Sequence, residues 1–190
     1  RKQSSEDAPI HIELPSETFA KTERVVKEKQ KSIFTSSSET LLPPLHLLDE
    51  SEKDVEVLTK DALESVSRLI ENKLKEFGVT VKVVAAYPGP VITRYEIEPA
   101  VGVKGSQIIN LIKDLSRALT VASIRVVETI QGKTTMGLEI PNPKRQIVRL
   151  VEILSSQSYI NTASPLTLAL GMDISGRPIV SDLAKMPHAL

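Results

Sequence analysis

The chain has no cysteine and no tryptophan, and aromatic residues make up only 3% of it. Without cysteine there are no disulfides, no thiol nucleophile and no thiolate metal site. A reducing, intracellular setting fits that usage. So few rings argue against a stacking platform for single-stranded nucleic acid, which needs exposed aromatic faces. No apolar run approaches the roughly 18 residues that a membrane-spanning helix needs. The first residues, Arg1-Lys2-Gln3-Ser4-Ser5, lack the apolar stretch that follows the charges of a signal peptide. The chain does not begin with Met and stops after Pro187-His188-Ala189-Leu190, so it reads as part of a longer protein.

Charge is balanced overall but unevenly placed. Residues 1–98 carry 14 Lys/Arg against 18 Asp/Glu, residues 99–150 carry 8 against 3, and residues 151–190 carry 2 against 3. A basic middle on a neutral chain hints at a polyanion-facing surface, and a solvated face accounts for it equally simply. At 190 residues there is room for one or two domains.

Residues 1–40 are polar and Ser-rich at both ends and read as a disordered linker. The apolar stretch Leu41 to Leu48 contains Pro43-Pro44, which forbids helix through its middle, and is expected to lie extended against a domain. Asp61 to Phe77 repeats apolar residues at three- and four-residue steps: Leu63, Val66, Leu69, Ile70, Leu74 and Phe77. That spacing predicts an amphipathic helix, capped by Asp61 with Glu64 and stopped by Gly78.

Val79 to Glu98 predicts a hairpin. Its two arms are rich in Val, Ile, Thr and Tyr, and Pro88-Gly89-Pro90 breaks them, with Gly89 free to take positive φ. A second helix is predicted over 106–119, a strand over 123–130, a turn at Gln131-Gly132-Lys133 and a partner strand over 135–140. Asn142 with Pro143 reads as the start of a third helix carrying Ile147, Leu150, Val151 and Leu154. Residues 165–170 and 178–181 then form a hairpin around Ser175-Gly176. The order α-β-β-α-β-β-α predicts a small α+β domain with an antiparallel sheet, over residues 41–164, followed by a separate hairpin at 165–190.

Gly132-Lys133-Thr134 imitates the end of a phosphate-binding loop. The glycine that such a loop needs five residues earlier is Val127, and a strand rather than a helix follows, so the triplet reads as a hairpin turn. His11, His46 and His188 are far apart with no ligand spacing, and no Gly-x-Ser-x-Gly is present. The paired carboxylates Glu96 and Glu98 share one strand face and read as solvated. No catalytic constellation emerges.

The residues left for a function are basic: Lys104, Lys113, Arg117, Lys133, Lys144 and Arg145 are the candidates to face DNA, through its phosphates rather than its bases. Lys104 precedes a helix N-terminus, a natural place for a phosphate. Arg94 and Arg125 lie within strands, where a cross-strand pair with Glu96 or Glu128 explains them more simply.

The run Tyr87-Pro88-Gly89-Pro90-Val91-Ile92-Thr93-Arg94-Tyr95-Glu96 resembles the signature hairpin of FtsK/SpoIIIE-type bacterial DNA translocases. Gly102-Val103-Lys104, Arg125-Val126-Val127-Glu128, Gly137 to Asn142, and Leu170 to Pro178 follow in that family's order, and Asp182 to His188 resembles its lead-in to the Walker A strand. The resemblance covers about residues 41–190. It implies an α domain, then the first hairpin of a RecA-like motor domain that stops short of the phosphate loop. ATP and Mg would belong to that motor domain rather than to this chain. The implied partners are other copies in a hexameric ring, double-stranded DNA, and the motor and winged-helix domains of the longer protein. The implied setting is the cytoplasmic side of an inner-membrane anchor, where such motors move chromosomes at the division septum. Two alternatives stay open: an oligomerisation collar that never meets DNA, and a small autonomous nucleic-acid-binding module.

Overall fold

A computed structural model describes residues 10–12, 43–49 and 58–188. It divides into two compact units, the first drawn from residues 10–12 and 58–145 and the second from 43–49 and 146–188. The class is α+β, as the element pattern predicts.

The first unit holds strand β1 (His11–Ile12), helix α1 (Lys60–Glu76), strands β2 (Val81–Pro88) and β3 (Ile92–Pro99), helices α2 (Gly105–Asn110) and α3 (Ile112–Ala118), and strands β4 (Arg125–Val127) and β5 (Met136–Pro141). The strands form one sheet in the order β1-β2-β3-β5-β4, antiparallel except for β1, which runs parallel to β2. β1 lies within the stretch read as linker; of residues 1–40, those other than 10–12 fall outside the described residues.

Alternation along the strands separates two faces. Val81, Val83, Ala86, Tyr95, Ile97, Met136, Leu138 and Ile140 point to one side and form the core with Leu63, Ile70 and Leu74 of α1, Ile108 of α2 and Leu115 of α3. A bulge between Val83 and Ala85 interrupts the β2–β3 register. Its backbone is tied to α1 by Val83 N–H, which donates to Glu71 Oε1 at 2.6 Å.

The predicted α1 is present with a different cap. Thr59, not Asp61, is the N-cap, and its hydroxyl accepts from Ala62 N–H at 3.3 Å. At the other end Gly78 takes φ +81°, Gly78 N–H donates to Lys75 O and Val79 N–H to Leu74 O, a Schellman stop of the kind glycine favours. The predicted second helix is broken at Leu111 into α2 and α3. α3 ends in the same hydrogen-bond pattern, Thr120 N–H to Arg117 O and Val121 N–H to Ser116 O, but with a β-branched residue at φ +58°. That backbone costs an L residue roughly 1–2 kcal/mol. Thr120→Gly is therefore expected to raise the urea midpoint by the equivalent of about 1 kcal/mol; a variant no more stable than the parent would show that Thr120 is unstrained.

The helix predicted from Asn142 is not there. Residues 142–149 are irregular or extended, and the next helices along the chain are α4 (Leu150–Leu154) and α5 (Gln157–Ile160), so Ile147 is not helical and is exposed. Of the expected stripe, Leu150 is exposed as well, and Ile153 is the buried residue. Asn142 instead pins the Pro88-Gly89-Pro90 turn. Its backbone N–H donates to Val91 O at 3.0 Å, its Nδ2 donates to Gly89 O at 2.8 Å, and its Oδ1 accepts from Thr93 Oγ1 at 2.8 Å. With both prolines buried and the turn held from the end of β5, Gly89 needs no positive φ and does not take one.

The second unit ends in the predicted hairpin, strands β6 (Thr167–Met172) and β7 (Pro178–Asp182). Its turn is organised by Asp173, whose Oδ1 accepts from the backbone N–H groups of Ser175 and Arg177, with Gly176 at φ +80°. Leu45, in a single 3-10 turn at Leu45–Leu47, is buried in this unit.

Candidate nucleic-acid interface

The sheet face opposite the α1–α3 core carries the chain's charged network. Register sets Ala85, Glu96 and Gly137 side by side, with Tyr87, Arg94 and Glu139 in the next row and Arg125 opposite Glu139 on β4. Glu96 is thus flanked by two small residues, and its carboxylate is buried. The loop between β4 and β5 folds back over it. Lys133 Nζ donates to both Glu96 oxygens at 2.8 Å and to the Tyr87 hydroxyl at 3.1 Å, lying 5.2 Å from that ring's centre. The hydrogen bond to Glu96, then that to Tyr87, raise the Lys133 pKa above its ordinary value.

A Cβ at Gly137 would meet Val127 Cβ at 3.4 Å and Arg94 Cδ and Ile130 Cδ1 at 3.6 Å, ordinary van der Waals contacts. Glu139, also buried, lies between two arginines: Arg94 Nη2 at 3.0 Å and Arg125 Nη1 at 3.6 Å. The expectation that Arg94 or Arg125 pairs with Glu96 or Glu128 is corrected in partner. Arg94 and Glu96 are two residues apart on one strand and point the same way, each reaching across the sheet to a different group. Glu128 is exposed just past the end of β4. The reading of Glu96 as solvated is also wrong, since Lys133 and its loop cover it.

The six basic candidates do not form one patch. Lys133 is the counter-ion of buried Glu96, and Gly132-Lys133-Thr134 is the expected turn, with Gly132 at φ +79° and Lys133 N–H donating to Ile130 O. Lys104 sits in the loop before α2, where its backbone N–H donates to Gln107 Oε1, and its side chain is exposed. Gly105 next to it packs on Met136, the first residue of β5. Lys144 and Arg145 follow Pro141 at the other end of β5, about 17 Å away at the usual strand rise. Lys113 and Arg117 occupy neighbouring turns on the exposed side of α3, Arg117 with Asp114 at 3.4 Å. Lys104 thus precedes α2, while Lys113 and Arg117 lie on α3. Sequence reasoning missed Glu71, Asn142 and Glu139, whose partners lie 12 to 53 residues away along the chain.

Among the described residues no group of His, Asp or Glu is arranged to hold a metal ion, and no helix is long and apolar enough to cross a membrane.

Known proteins similar to this chain agree with one another. "DNA translocase FtsK 2" of Ralstonia nicotianae is 60% identical over all 190 residues, "DNA translocase FtsK" of Pseudomonas aeruginosa 58% over 170, and "DNA translocase FtsK 2" of Neisseria meningitidis 57% over 154. The chain spans 24%, 21% and 15% of their respective lengths, about a quarter at most. The FtsK alpha domain profile matches residues 42–142, which take in α1, the pinned hairpin, α2, α3, β4 and β5. With more than half of its residues inside that match, the chain belongs to the FtsK alpha domain family.

Proposed function

We propose that this chain is the non-catalytic portion of an ATP-driven translocase of double-stranded DNA that acts in chromosome segregation at cell division. Residues 41–164 are its α domain, preceded by the end of a linker, and residues 165–190 open a RecA-like motor domain. Copies assemble into a hexameric ring on the cytoplasmic side of a membrane anchor, and the α domain guides DNA through the ring beside the motor and winged-helix domains. Family membership carries this reading. Nucleotide chemistry belongs to the motor domain: Lys133, the only lysine here in a Gly-Lys-Thr setting, is occupied by Glu96 and followed by a strand, so these residues do not fit a phosphate loop.

Lys104, Lys113 and Arg117 are the cations best placed to meet phosphates. If three phosphates are neutralised, log K should fall with log salt at a slope of roughly −2.7, about a 40-fold loss between 50 and 200 mM salt. Changing the three to Ala should flatten that slope, while Lys133→Ala should leave it unchanged. A second reading, an oligomerisation collar without DNA contact, is favoured by the scatter of the six basic candidates. Duplex affinity that is the same in parent and triple variant would sink these three as the guiding residues, and no duplex binding by either protein would favour the collar.

A further inference from the structure

On one side the five-stranded sheet would end at β2 but for β1, whose two residues are the only strand on that edge among the described residues. A long edge rich in Val and Ala is an open template for another strand unless something covers it. Glu71 of α1 takes one backbone N–H of β2, at Val83. The cover at Ala85 and Ala86 is more specific. His11 lies beside Ala85 and Ile12 beside Ala86, running parallel to β2. Ala86 continues a row with Tyr95 and Leu138, so Ile12, and Ile10 by alternation, fall on the core side. Both isoleucines are partly buried against the apolar cluster there, while His11 is exposed. Pro9 and Pro15 bracket this stretch, and proline cannot continue a ladder.

We propose that the β2 edge at Ala85-Ala86 is a docking site for an extended peptide with two β-branched residues flanking a polar one. Its built-in ligand is Ile10-His11-Ile12, which fastens the upstream stretch to the sheet. A strand added to a sheet edge draws affinity from its main chain and selectivity from alternate side chains. Here the selecting side chains are the two isoleucines, and the exposed His11 between them carries no selectivity. Residues 13–59 close a long loop between β1 and α1, at an entropic cost that two paired residues offset only narrowly, so the docked segment is releasable.

The cysteine-free sequence makes the test direct. His11→Cys with Ala85→Cys puts thiols on directly paired residues, whose backbones in a sheet stand about 4.8 Å apart, within reach of a disulfide. On mild oxidation this bond should close within one molecule. The control, His11→Cys with Asn72→Cys exposed on α1, should close at least tenfold more slowly. Adding Ile10→Ser and Ile12→Ser to the first pair should also slow closure at least tenfold. Closure as fast with the serines would overturn the proposal, because the isoleucines would then select nothing. Closure only between molecules would overturn it too, since the site would belong to a second copy. Deuterium exchange needs no substitution in the sheet and serves if the cysteine pair fails to fold. Ile10→Ser with Ile12→Ser should speed exchange at the β2 edge at least tenfold and leave β5 unchanged. A peptide of residues 5–16 at about 1 mM, near the effective concentration that a flexible tether gives, should restore the protection. The same peptide with serine for both isoleucines should not. Exchange at β2 that the serines leave unchanged, or that the two peptides affect equally, would sink the docking site.

Discussion

Glu139→Ala should cost the first unit about 2–3 kcal/mol, far more than any change to the exposed cations. The carboxylate is buried between two arginines that differ sharply in exposure. Arg125 is 80% exposed and 3.6 Å away, so Arg125→Ala should cost under about 0.5 kcal/mol, as surface pairs do. Arg94 is only 26% exposed, and its Nε has no hydrogen-bond partner, so Glu139 carries much of its solvation. Removing one partner of a buried pair costs roughly 3–5 kcal/mol, and water reaching the partly open Arg94 lowers that figure. For a unit of this size the loss corresponds to a fall of roughly 10–20 °C in Tm. Urea and thermal unfolding read both effects. A joint replacement, Arg94→Met with Glu139→Leu, should recover most of the loss, because it leaves no stranded charge. If Arg125→Ala proves as damaging as Glu139→Ala, or the joint variant is worse than the single, the network is not organised around Glu139 and Arg94.

These partners show where the sequence is legible and where it is not. The hairpin arms were visible because Val, Ile, Thr and Tyr alternate on both sides of a prolyl break, a local signal. The Gly78 stop was equally local, since positive φ after an apolar helical stripe leaves glycine as the natural residue. The reading of Gly132-Lys133-Thr134 as a turn followed from Val127 and from the strand after Lys133. Each of these needs information from within a dozen residues. The errors share the opposite property. Asn142-Pro143 carries a helix-start pattern, and its side chain was drawn instead to Gly89 and Thr93 by strand pairing. The break at Leu111 follows no glycine or proline. Arg94 and Glu96 invited pairing by nearness, but only the β3–β5 register brings Glu139 to one and only the folded-back loop brings Lys133 to the other. Charge placement was therefore readable as a count and not as a surface. Six basic residues in one third of the sequence end up at opposite ends of a strand, on a helix and inside an ion pair.

Raising the pH past 10 should unfold the first unit more steeply than its overall composition suggests, because two groups act in the same direction. Tyr95 is buried in the core, and burial raises its pKa strongly from the ordinary 10.0. In the unfolded chain the phenol ionises near pH 10, while in the fold it stays neutral. The native state then holds more protons, and stability falls as pH rises. Lys133 is the mirror case in charge and the same in sign. Its hydrogen bonds to Glu96 and Tyr87 hold the ammonium form above the ordinary 10.5, so their contribution is intact below that value and is lost as pH climbs through the folded-state pKa. Each group can contribute a slope of up to about 1.4 kcal/mol per pH unit, and Lys133, being 43% exposed, should contribute the smaller share. Urea midpoints measured from pH 8 to 11.5 should be level to about pH 9.5 and then decline. Tyr95→Phe should remove most of the decline, and Lys133→Ala a lesser part. An alkaline decline in Tyr95→Phe as steep as in the parent would show that water reaches the phenol in the folded state and that the core around Leu138 and Ile97 is looser than its packing implies.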